Sequence, residues 1–271
     1  MQQLDIARQK IRAVYLVVIL ATAAVAALTD TGMVAIPGGI FVMGRNDGPP
    51  NERPAHRLRL SPFLIDRLPV TNAQFAAFLG AEGVADAEGR RYFDLDDPDA
   101  RVFQRDGRFA VAAGYENHPV VEASWLGAVM YCRRLRKRLP SEAEWERAAR
   151  GSEGRPYPWG AAPPTRQRAW FDLGWNETMA VGELSDGATP EGILDLAGNV
   201  HEWTASLYRP YPYRPDDGRE DQNSPGERVT RGGAHDSIAA HIRATWRGAI
   251  VSRNPKSGHH NIGFRCARNA N

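Results

Sequence analysis

The stretch that decides the fold is RLPSEAEWERAARG, residues 138–151. Ser141 is followed three residues later by Glu144, which is the spacing of a capping box at a helix N-terminus. Gly151 can adopt the left-handed conformation that commonly ends a helix. The stretch therefore predicts a short helix whose two ends are both defined by the sequence.

Two more helices are predicted upstream. Thr71 and Gln74 form a second capping box, and the helix after them is expected to bury Phe75, Phe78 and Leu79. The other helix has an apolar face made of Trp125, Val129, Cys132 and Leu135. Its end carries five cations, Arg133, Arg134, Arg136, Lys137 and Arg138. We interpret these cations as a solvated face that compensates the helix dipole, with a partner site as the alternative.

Short strands and long loops surround these helices. MVAIPGGIFVMG, residues 33–44, predicts two strands joined as a hairpin by a Pro-Gly-Gly turn. HRLRLSPFLIDRLPV, residues 56–70, alternates apolar and charged residues as a half-exposed strand does. Residues 81–115 are polar, and we expect a surface insertion with a small hairpin. The fold class is therefore α+β with much irregular structure, in one domain over residues 33–271.

Composition limits the class of partner. The 34 basic and 32 acidic residues leave a formal charge of +2, which gives no electrostatic basis for nucleic-acid binding. The 26 glycines and 19 prolines indicate a loop-rich globular protein instead of a helical bundle. We expect a protein or peptide partner and no nucleic acid.

The N-terminus has the pattern of an export signal. Arg8, Lys10 and Arg12 precede residues 13–28, which carry no charge, and Ala24 and Ala26 provide a cleavage pattern of small residues. Sixteen apolar residues are fewer than the ~20 that span a bilayer comfortably. We predict that residues 1–30 are a signal peptide, with an uncleaved anchor through residues 13–28 as the alternative. The domain is then exported, to the periplasm, and meets the membrane only through this segment.

The chain has two cysteines, Cys132 and Cys266. In an oxidising compartment they could pair, although their separation in sequence does not establish the geometry. The position of Cys132 on an apolar helix face favours a small buried thiol. Neither cysteine has metal-ligand spacing to another.

Nine blocks occur in an order that resembles the formylglycine-generating enzyme (sulfatase-modifying factor) family. They are IPGGIFVMG, NERPAHRLRLSPFLID, PVTNAQF, NHPVVEASW, RLPSEAEWERAARG, YPWG, GILDLAGNVHEWT, RVTRGG and GFRCA. The resemblance implies a C-type-lectin-like fold with little regular secondary structure and with bound calcium. It implies no single activity, because the family's members include copper-dependent oxidases of a sulfatase cysteine, iron-dependent sulfoxide synthases, periplasmic siderophore-maturation proteins, proteins encoded beside nitrite reductase and pure binding proteins.

The resemblance places the family's active-site segment at RGGAHDSIAAHIRATWRGAIVSRN, residues 231–254. Ala234 stands where the oxidases carry a serine, and Ser237 and Ile242 stand where they carry the two copper cysteines. Copper(I) requires soft thiolate ligands, which neither side chain can replace. We therefore expect no bound copper and no formylglycine-generating oxidase activity.

Other polar side chains surround the lost cysteines. His235, Asp236 and His241 are the candidate catalytic residues, and His201 replaces a tryptophan of the family's GNVWEW block. Imidazole and carboxylate suit iron(II), zinc or copper(II). A transition-metal site is one interpretation, and a polar pocket without a metal is the other.

For calcium, the resemblance implies four ligand positions, which are Asp195, Gly198, Val200 and Glu202. Carboxylate and carbonyl oxygens are the hard donors that calcium requires. At the family's second calcium site, Trp170 and Leu173 replace an asparagine and an aspartate, so we expect one calcium ion.

A ligand-binding surface is predicted beside the same segment. Its residues are Arg243, Trp246, Arg247 and His201, with Arg253 nearby in sequence. Arg231 and Arg265 have an alternative role as scaffold residues that donate charge-assisted hydrogen bonds to loop carbonyls.

Three functions remain open at this point. The first is an exported accessory protein that assists maturation of a co-exported enzyme or cofactor, for example a metalloenzyme such as nitrite reductase. The second is a non-catalytic ligand-binding module of the retroelement variable-protein type. The third is an oxidoreductase with a His/Asp metal site.

Overall fold

A computed structural model describes residues 32–248 and 256–270. The predicted signal or anchor, residues 1–30, and the predicted pocket residue Arg253 lie outside these ranges. Within them, no helix has the length and hydropathy that a bilayer-crossing segment requires.

The three predicted helices are confirmed. They are α1 (Asn72–Glu82), α2 (Trp125–Arg134) and α3 (Glu142–Arg150). Both capping boxes form, with Thr71 before α1 and Ser141 before α3. Gly151 ends α3 with a φ of 66°, a conformation that glycine adopts without a Cβ clash.

In the described residues, ten short strands form four small sheets. The strands are β1 (Met33–Ile36), β2 (Gly39–Met43), β3 (His56–Leu60), β4 (Phe63–Asp66), β5 (Val102–Arg105), β6 (Arg108–Val111), β7 (His201–Leu207), β8 (Arg228–Arg231), β9 (Ile262–Gly263) and β10 (Ala267–Asn269). The strand orders are β1-β4-β10, β2-β3, β5-β6 and β8-β7-β9. The α+β prediction is confirmed.

The predicted N-terminal hairpin is wrong. β1 pairs antiparallel with β4 and β2 pairs antiparallel with β3, so the two segments belong to different sheets. Pro62 interrupts the second segment between β3 and β4, where the chain turns opposite Gly38. A Cβ on Gly38 would lie 2.8 Å from Cδ of Pro62, so the two turns pack directly together. The single predicted strand over residues 56–70 is accordingly two strands.

The insertion over residues 81–115 does contain the predicted hairpin, β5-β6. Its description as a surface segment is wrong in part. Tyr92, Phe93 and Val102 are buried in the main core beside Phe75 and Phe78 of α1. Large aromatic groups stabilise the fold strongly when they leave water, so this polar stretch still contributes to the core.

Cys132 and Cys266 form a disulfide, with their Cα atoms 5.7 Å apart. The expectation of a buried free thiol at Cys132 is therefore wrong. The helix face that buries Cys132 also places it against the segment before β10, where Cys266 is fully buried. The bond ties α2 to the C-terminal strand, and neither cysteine remains a thiol.

Candidate functional site

The segment that the resemblance places at the family's active site begins where β8 ends at Arg231. Gly232 and Gly233 follow with φ values of 94° and 72°. A Cβ on Gly233 would lie 2.7 Å from Cγ2 of Ile242 and 2.8 Å from the carbonyl oxygen of His241. Glycine is thus required where the chain folds back on itself, and residues 233–242 close into a tight loop.

Two buried carboxylates of α3 anchor both ends of this loop. Glu142 accepts hydrogen bonds from Nη1 of Arg231 at 2.9 Å and from Nε of Arg247 at 2.6 Å, and Glu146 accepts one from Nη2 of Arg231 at 2.7 Å. Burial would raise the pKa of Glu142, but the charges of Arg247 and Arg231 outweigh burial and lower it. The network fixes the loop on α3 by charge-assisted bonds.

The scaffold roles predicted for Arg231 and Arg265 are confirmed. Arg231 donates to the carbonyl of Ala244 at 2.6 Å. Arg265 donates to three carbonyls, those of Asp66, Arg67 and Leu194. Both arginines are fully buried, so neither guanidinium faces a ligand.

The positions of the family's copper cysteines are filled by ordinary packing. The hydroxyl of Ser237 accepts a hydrogen bond from the amide of Ala234 at 2.9 Å. Ile242 is fully buried in a small apolar cluster with Ala169, Phe171 and Ala197. No sulfur stands at either position, and the chain's two cysteines are bonded to each other elsewhere.

Next to these positions, the structure brings together His235, Asp236 and His260. Each residue offers one ligand atom, and these atoms lie within 4.8 Å of one another. Asp236 Oδ2 lies 3.2 Å from Nε2 of His260 and accepts a hydrogen bond from Nδ2 of Asn261 at 3.0 Å. Burial would raise the pKa of Asp236, but the bonds to His260 and Asn261 lower it to about 2. Two imidazoles and a carboxylate could hold a transition metal, as the sequence predicted, although with different members.

His241 is the predicted catalytic residue that the structure does not place in this group. It is exposed and stacks on Trp246, with ring centroids 5.1 Å apart. The chain turns between Ser237 and His241, which carries His241 away from Asp236. His260 takes its place from a separate segment, and only its neighbouring pair of histidines, His259 and His260, could have pointed to it in the sequence.

The predicted ligand-binding residues meet around Trp246. A pocket of about 360 Å³ is lined by Pro49, Asn51, Ala240, His241, Arg243, Trp246 and Arg247. His201 does not line it but is buried behind it, stacked on Trp246 at 5.0 Å. Burial lowers the pKa of His201 to about 3, so its ring is neutral at physiological pH.

The two predicted arginines of the pocket differ in their freedom. Arg247 is 1% exposed, and its guanidinium contacts Glu142 and the carbonyls of Asn51 and Arg209. Arg243 is partly exposed and pairs with Glu52 at 2.9 Å. The structure therefore gives Arg247 a scaffold role and leaves Arg243 as the cation that solvent reaches.

The predicted calcium ligands lie on one turn that leads into β7. Asp195 has a φ of 57° and accepts a hydrogen bond from the amide of Gly182 at 2.7 Å. Burial raises its pKa to about 6. Glu202 already accepts hydrogen bonds from Arg265 on both carboxylate oxygens. Its Oε2 also accepts one from the indole Nε1 of Trp145 at 2.8 Å. The hard oxygens of Asp195, Gly198 and Val200 suit calcium, while Glu202 could take part only by sharing its carboxylate with Arg265.

A second acidic group was not predicted. Asp97, Asp99 and Glu122 each place a carboxylate oxygen within 4.8 Å of the others. Burial and the neighbouring aspartates raise the pKa of Glu122 to about 8. The group adjoins the histidines through Trp175, whose indole donates to Asp99 at 2.7 Å and stacks on His260 at 3.4 Å.

Small sheets, three capped helices and long ordered loops define this molecule as a protein of the C-type-lectin-like fold class. A family model, the sulfatase-modifying factor enzyme 1-like domain, matches residues 21–270. The chain belongs to this family.

Three relatives illustrate the breadth of the family. The formylglycine-generating enzyme of Streptomyces coelicolor is 38% identical in a gapped alignment of 285 positions that covers 88% of this chain and 90% of that enzyme. The serine/threonine-protein kinase pkn1 of Chlamydia pneumoniae is 36% identical over 249 residues, but this chain spans only 38% of the kinase. The solved structure of PvdO from Pseudomonas aeruginosa has a TM-score of 0.67 at 28% identity and covers 88% of this chain and 94% of that chain.

Proposed function

We propose that this chain is an exported accessory protein that recognises a protein or peptide partner and assists maturation of a co-exported enzyme or cofactor, without copper–cysteine oxidation. One observation carries the proposal. The resemblance assigns residues 231–254 to the family's active site, and Arg231 and Arg247 anchor this segment on α3. Ser237 and Ile242 stand at the positions that the resemblance assigns to the copper cysteines, and Cys132 and Cys266 are held in a disulfide. A surface that is preserved without its redox ligands suits recognition.

The features around the loop support a recognition role. Ile238 and Trp175 are 54% and 67% exposed, the highest values among the exposed large apolar side chains of the described residues. Trp246 forms a wall of the adjoining pocket, and Arg243 adds a cation to its rim. Pockets with aromatic walls and a few polar groups are typical of peptide and small-molecule recognition. A metalloenzyme such as nitrite reductase is a candidate partner.

The absence of oxidase activity is tested with a sulfatase-type peptide that contains the target cysteine. Purified protein, copper(I) and oxygen are incubated with the peptide, and the aldehyde is detected by hydrazide labelling. We expect the peptide thiol to remain. The Ser237→Cys/Ile242→Cys double variant restores a thiolate pair and should bind copper(I), whereas the wild type should not. Aldehyde formation by the wild type would overturn the proposal.

The accessory role is tested by photo-cross-linking in the producing cell. A cross-linker at Ala240, which is exposed beside the pocket, should capture one exported protein, while a cross-linker at exposed Arg105 should not. Trp246→Ala should abolish the capture. Deletion of this chain should then lower the activity or cofactor content of the captured protein. If that protein is unchanged in the deletion strain, the chain is a binding module and not an accessory factor.

We also propose one calcium ion at Asp195, Gly198, Val200 and Glu202. The buried carboxylate of Asp195 supports the proposal, because burial disfavours its charged form and a bound cation would compensate that charge. A calcium concentration of about one hundred times the Kd should raise the melting temperature by about 5–10 °C. Asp195→Ala should lose the increase and the exposed-residue control Asp186→Ala should keep it. An unchanged response in Asp195→Ala would place any calcium elsewhere.

A further inference from the structure

The ring of His235 has the hydrogen bonding of a metal ligand. Its Nδ1 lies 2.9 Å from the carbonyl oxygen of Asn199, which can only accept, so Nδ1 carries the proton. Nε2 then carries the lone pair, and it is buried without a hydrogen-bond partner among the described residues. A backbone carbonyl that fixes the tautomer in this way is the usual outer contact of a metal-bound histidine.

His260 and Asp236 complete a set of three donors. Adjacent ligands of a tetrahedral ion with bonds of about 2.1 Å lie about 3.4 Å apart. The 3.2 Å between Nε2 of His260 and Oδ2 of Asp236 matches that separation. Asn261 holds the carboxylate, and Trp175 stacks on the imidazole of His260, so both side chains are oriented before any ion arrives.

We propose that His235, Asp236 and His260 form a binding site for a divalent transition-metal ion, of the kind that zinc and iron(II) represent. Two imidazole nitrogens and one carboxylate oxygen are borderline donors that suit these ions better than copper(I), which requires sulfur, or calcium, which requires oxygen. The site excludes His241 and uses none of the predicted calcium ligands, although His235 bonds to the carbonyl of Asn199 in the calcium turn.

An ordinary histidine–aspartate pair would account for His260 and Asp236, but it leaves His235 unexplained. A buried acceptor without a partner is destabilising, and Nε2 of His235 is in that state. A bound metal ion would give this nitrogen a partner and would neutralise the charge of Asp236. Three protein ligands leave further coordination positions open, as in catalytic metal sites and unlike closed structural ones.

The surroundings of the open positions indicate where a partner would meet the ion. Exposed Trp175 covers His260, and exposed Ile238 follows Asp236 by two residues. The ion would therefore lie between apolar side chains on the surface that we assign to recognition. The proposal concerns metal binding alone, and it holds or fails independently of the accessory role.

The test uses the full chain, freed of metal with a chelator and kept in calcium so that hard-oxygen sites are filled. Cobalt(II) is titrated and followed by its d–d absorption, and zinc is titrated by calorimetry. We expect one cobalt(II) per chain. His260→Gln and Asp236→Asn should each weaken its affinity at least tenfold, while His241→Gln and Asp97→Asn, which alter the exposed histidine and the acidic group, should change it less than twofold.

Thermal unfolding of the metal-free variants shows whether they fold. Because His235 is fully buried, His235→Gln serves as a supporting variant and the partly exposed His260 carries the test. Anomalous scattering from a cobalt-soaked crystal should place the ion about 2.0–2.2 Å from all three donor atoms. Equal cobalt(II) binding by wild type and folded His260→Gln, or an ion located elsewhere, would overturn the proposal.

Discussion

Glu122 is a buried acid whose environment disfavours its charged form. It is 2% exposed and has a φ of 62°, so both its side chain and its backbone are constrained. Burial first, and then the charges of Asp97, Asp94 and Asp99, raise its pKa to about 8. At neutral pH this carboxyl is therefore largely protonated in the folded protein and ionised in the unfolded chain.

This shift makes stability depend on pH in a defined direction. Because the folded pKa lies above the unfolded value of 4.5, the stabilising contribution is complete below pH 4.5 and is lost as the pH rises towards 8. Glu122→Gln has no carboxyl to ionise, so the variant does not lose stability in this way as the pH rises. The free energy of unfolding of the variant, relative to that of the wild type, should therefore increase between pH 5 and pH 8 by at most about 4 kcal/mol. Urea denaturation at the two pH values measures the difference.

The control for this comparison is Glu116→Gln, which alters an exposed carboxylate. It should change the urea midpoint equally at both pH values. If Glu122→Gln also shows no pH-dependent difference from the wild type, Glu122 is not a protonated buried acid.

At the residue scale, the sequence predicted which side chains would be polar near the loop but not which would meet. His235 and Asp236 are neighbours in sequence and were predicted together. His260 lies 24 residues after Asp236, and its approach depends on how the C-terminal segment packs, which no local pattern encodes. The scaffold role of Arg247 was missed for the same reason, since its partner Glu142 lies 105 residues away.

At the scale of elements, the sequence predicted the position of helix α3 well but did not predict its role. Its caps gave both of its ends. Its inward face, however, carries Glu142 and Glu146, which are fully buried and which a helical pattern would place in solvent. Glu146 pairs with Arg150 of α3 and with Arg231, and Glu142 pairs with Arg231 and Arg247. The helix therefore anchors the segment that contains Arg231 and Arg247, and it is also a core element.

Glu142→Gln tests this anchoring. The substitution leaves Arg231 and Arg247 buried with an uncharged partner, and breaking a buried ion pair in this way costs about 3–5 kcal/mol. The pKa of Glu142 is lowered in the folded protein. The ionised Glu142 carboxylate therefore stabilises the fold at pH values above its pKa in the unfolded chain, near 4.5, and this stabilisation is lost as the pH falls.

The measurement is urea denaturation of Glu142→Gln and wild type from pH 7 down to pH 3. The gap between them should be large at neutral pH and should narrow in acid. Glu116→Gln, which alters an exposed carboxylate outside this network, should lie close to the wild type throughout. A Glu142→Gln variant as stable as that control would remove the anchoring role.

Strand pairing was the weakest prediction at this scale. Alternation of apolar and polar residues located the strands, but pairing is decided between segments. β2 joins β3 and β1 joins β4 because the turns at Pro37–Gly38 and Ser61–Pro62 lie opposite each other and divide one long pairing into two. A single sequence shows where the turns are, but it does not show that the two turns lie opposite each other.

At the scale of the whole molecule, the order of nine sequence blocks predicted the fold, and the comparisons confirm it. The C-terminal segment is joined to earlier parts of the chain by contacts that sequence separation hides. Arg265 bonds to carbonyls near residue 66, and Cys266 bonds to Cys132 on α2. Architecture was therefore predictable by resemblance, while the long-range bonds that hold it required the structure.

The disulfide should account for a large share of the stability of the whole domain. Cys132 and Cys266 are 134 residues apart, and a cross-link that closes so long a loop restricts the unfolded chain strongly. We expect Cys132→Ala/Cys266→Ala to lower the free energy of unfolding by about 3–5 kcal/mol, measured by urea denaturation without reductant. Reductant should destabilise the wild type by a similar amount and leave the double variant unchanged. The bond does not stabilise the fold if reductant leaves the urea midpoint of the wild type unchanged and that midpoint equals the midpoint of the double variant.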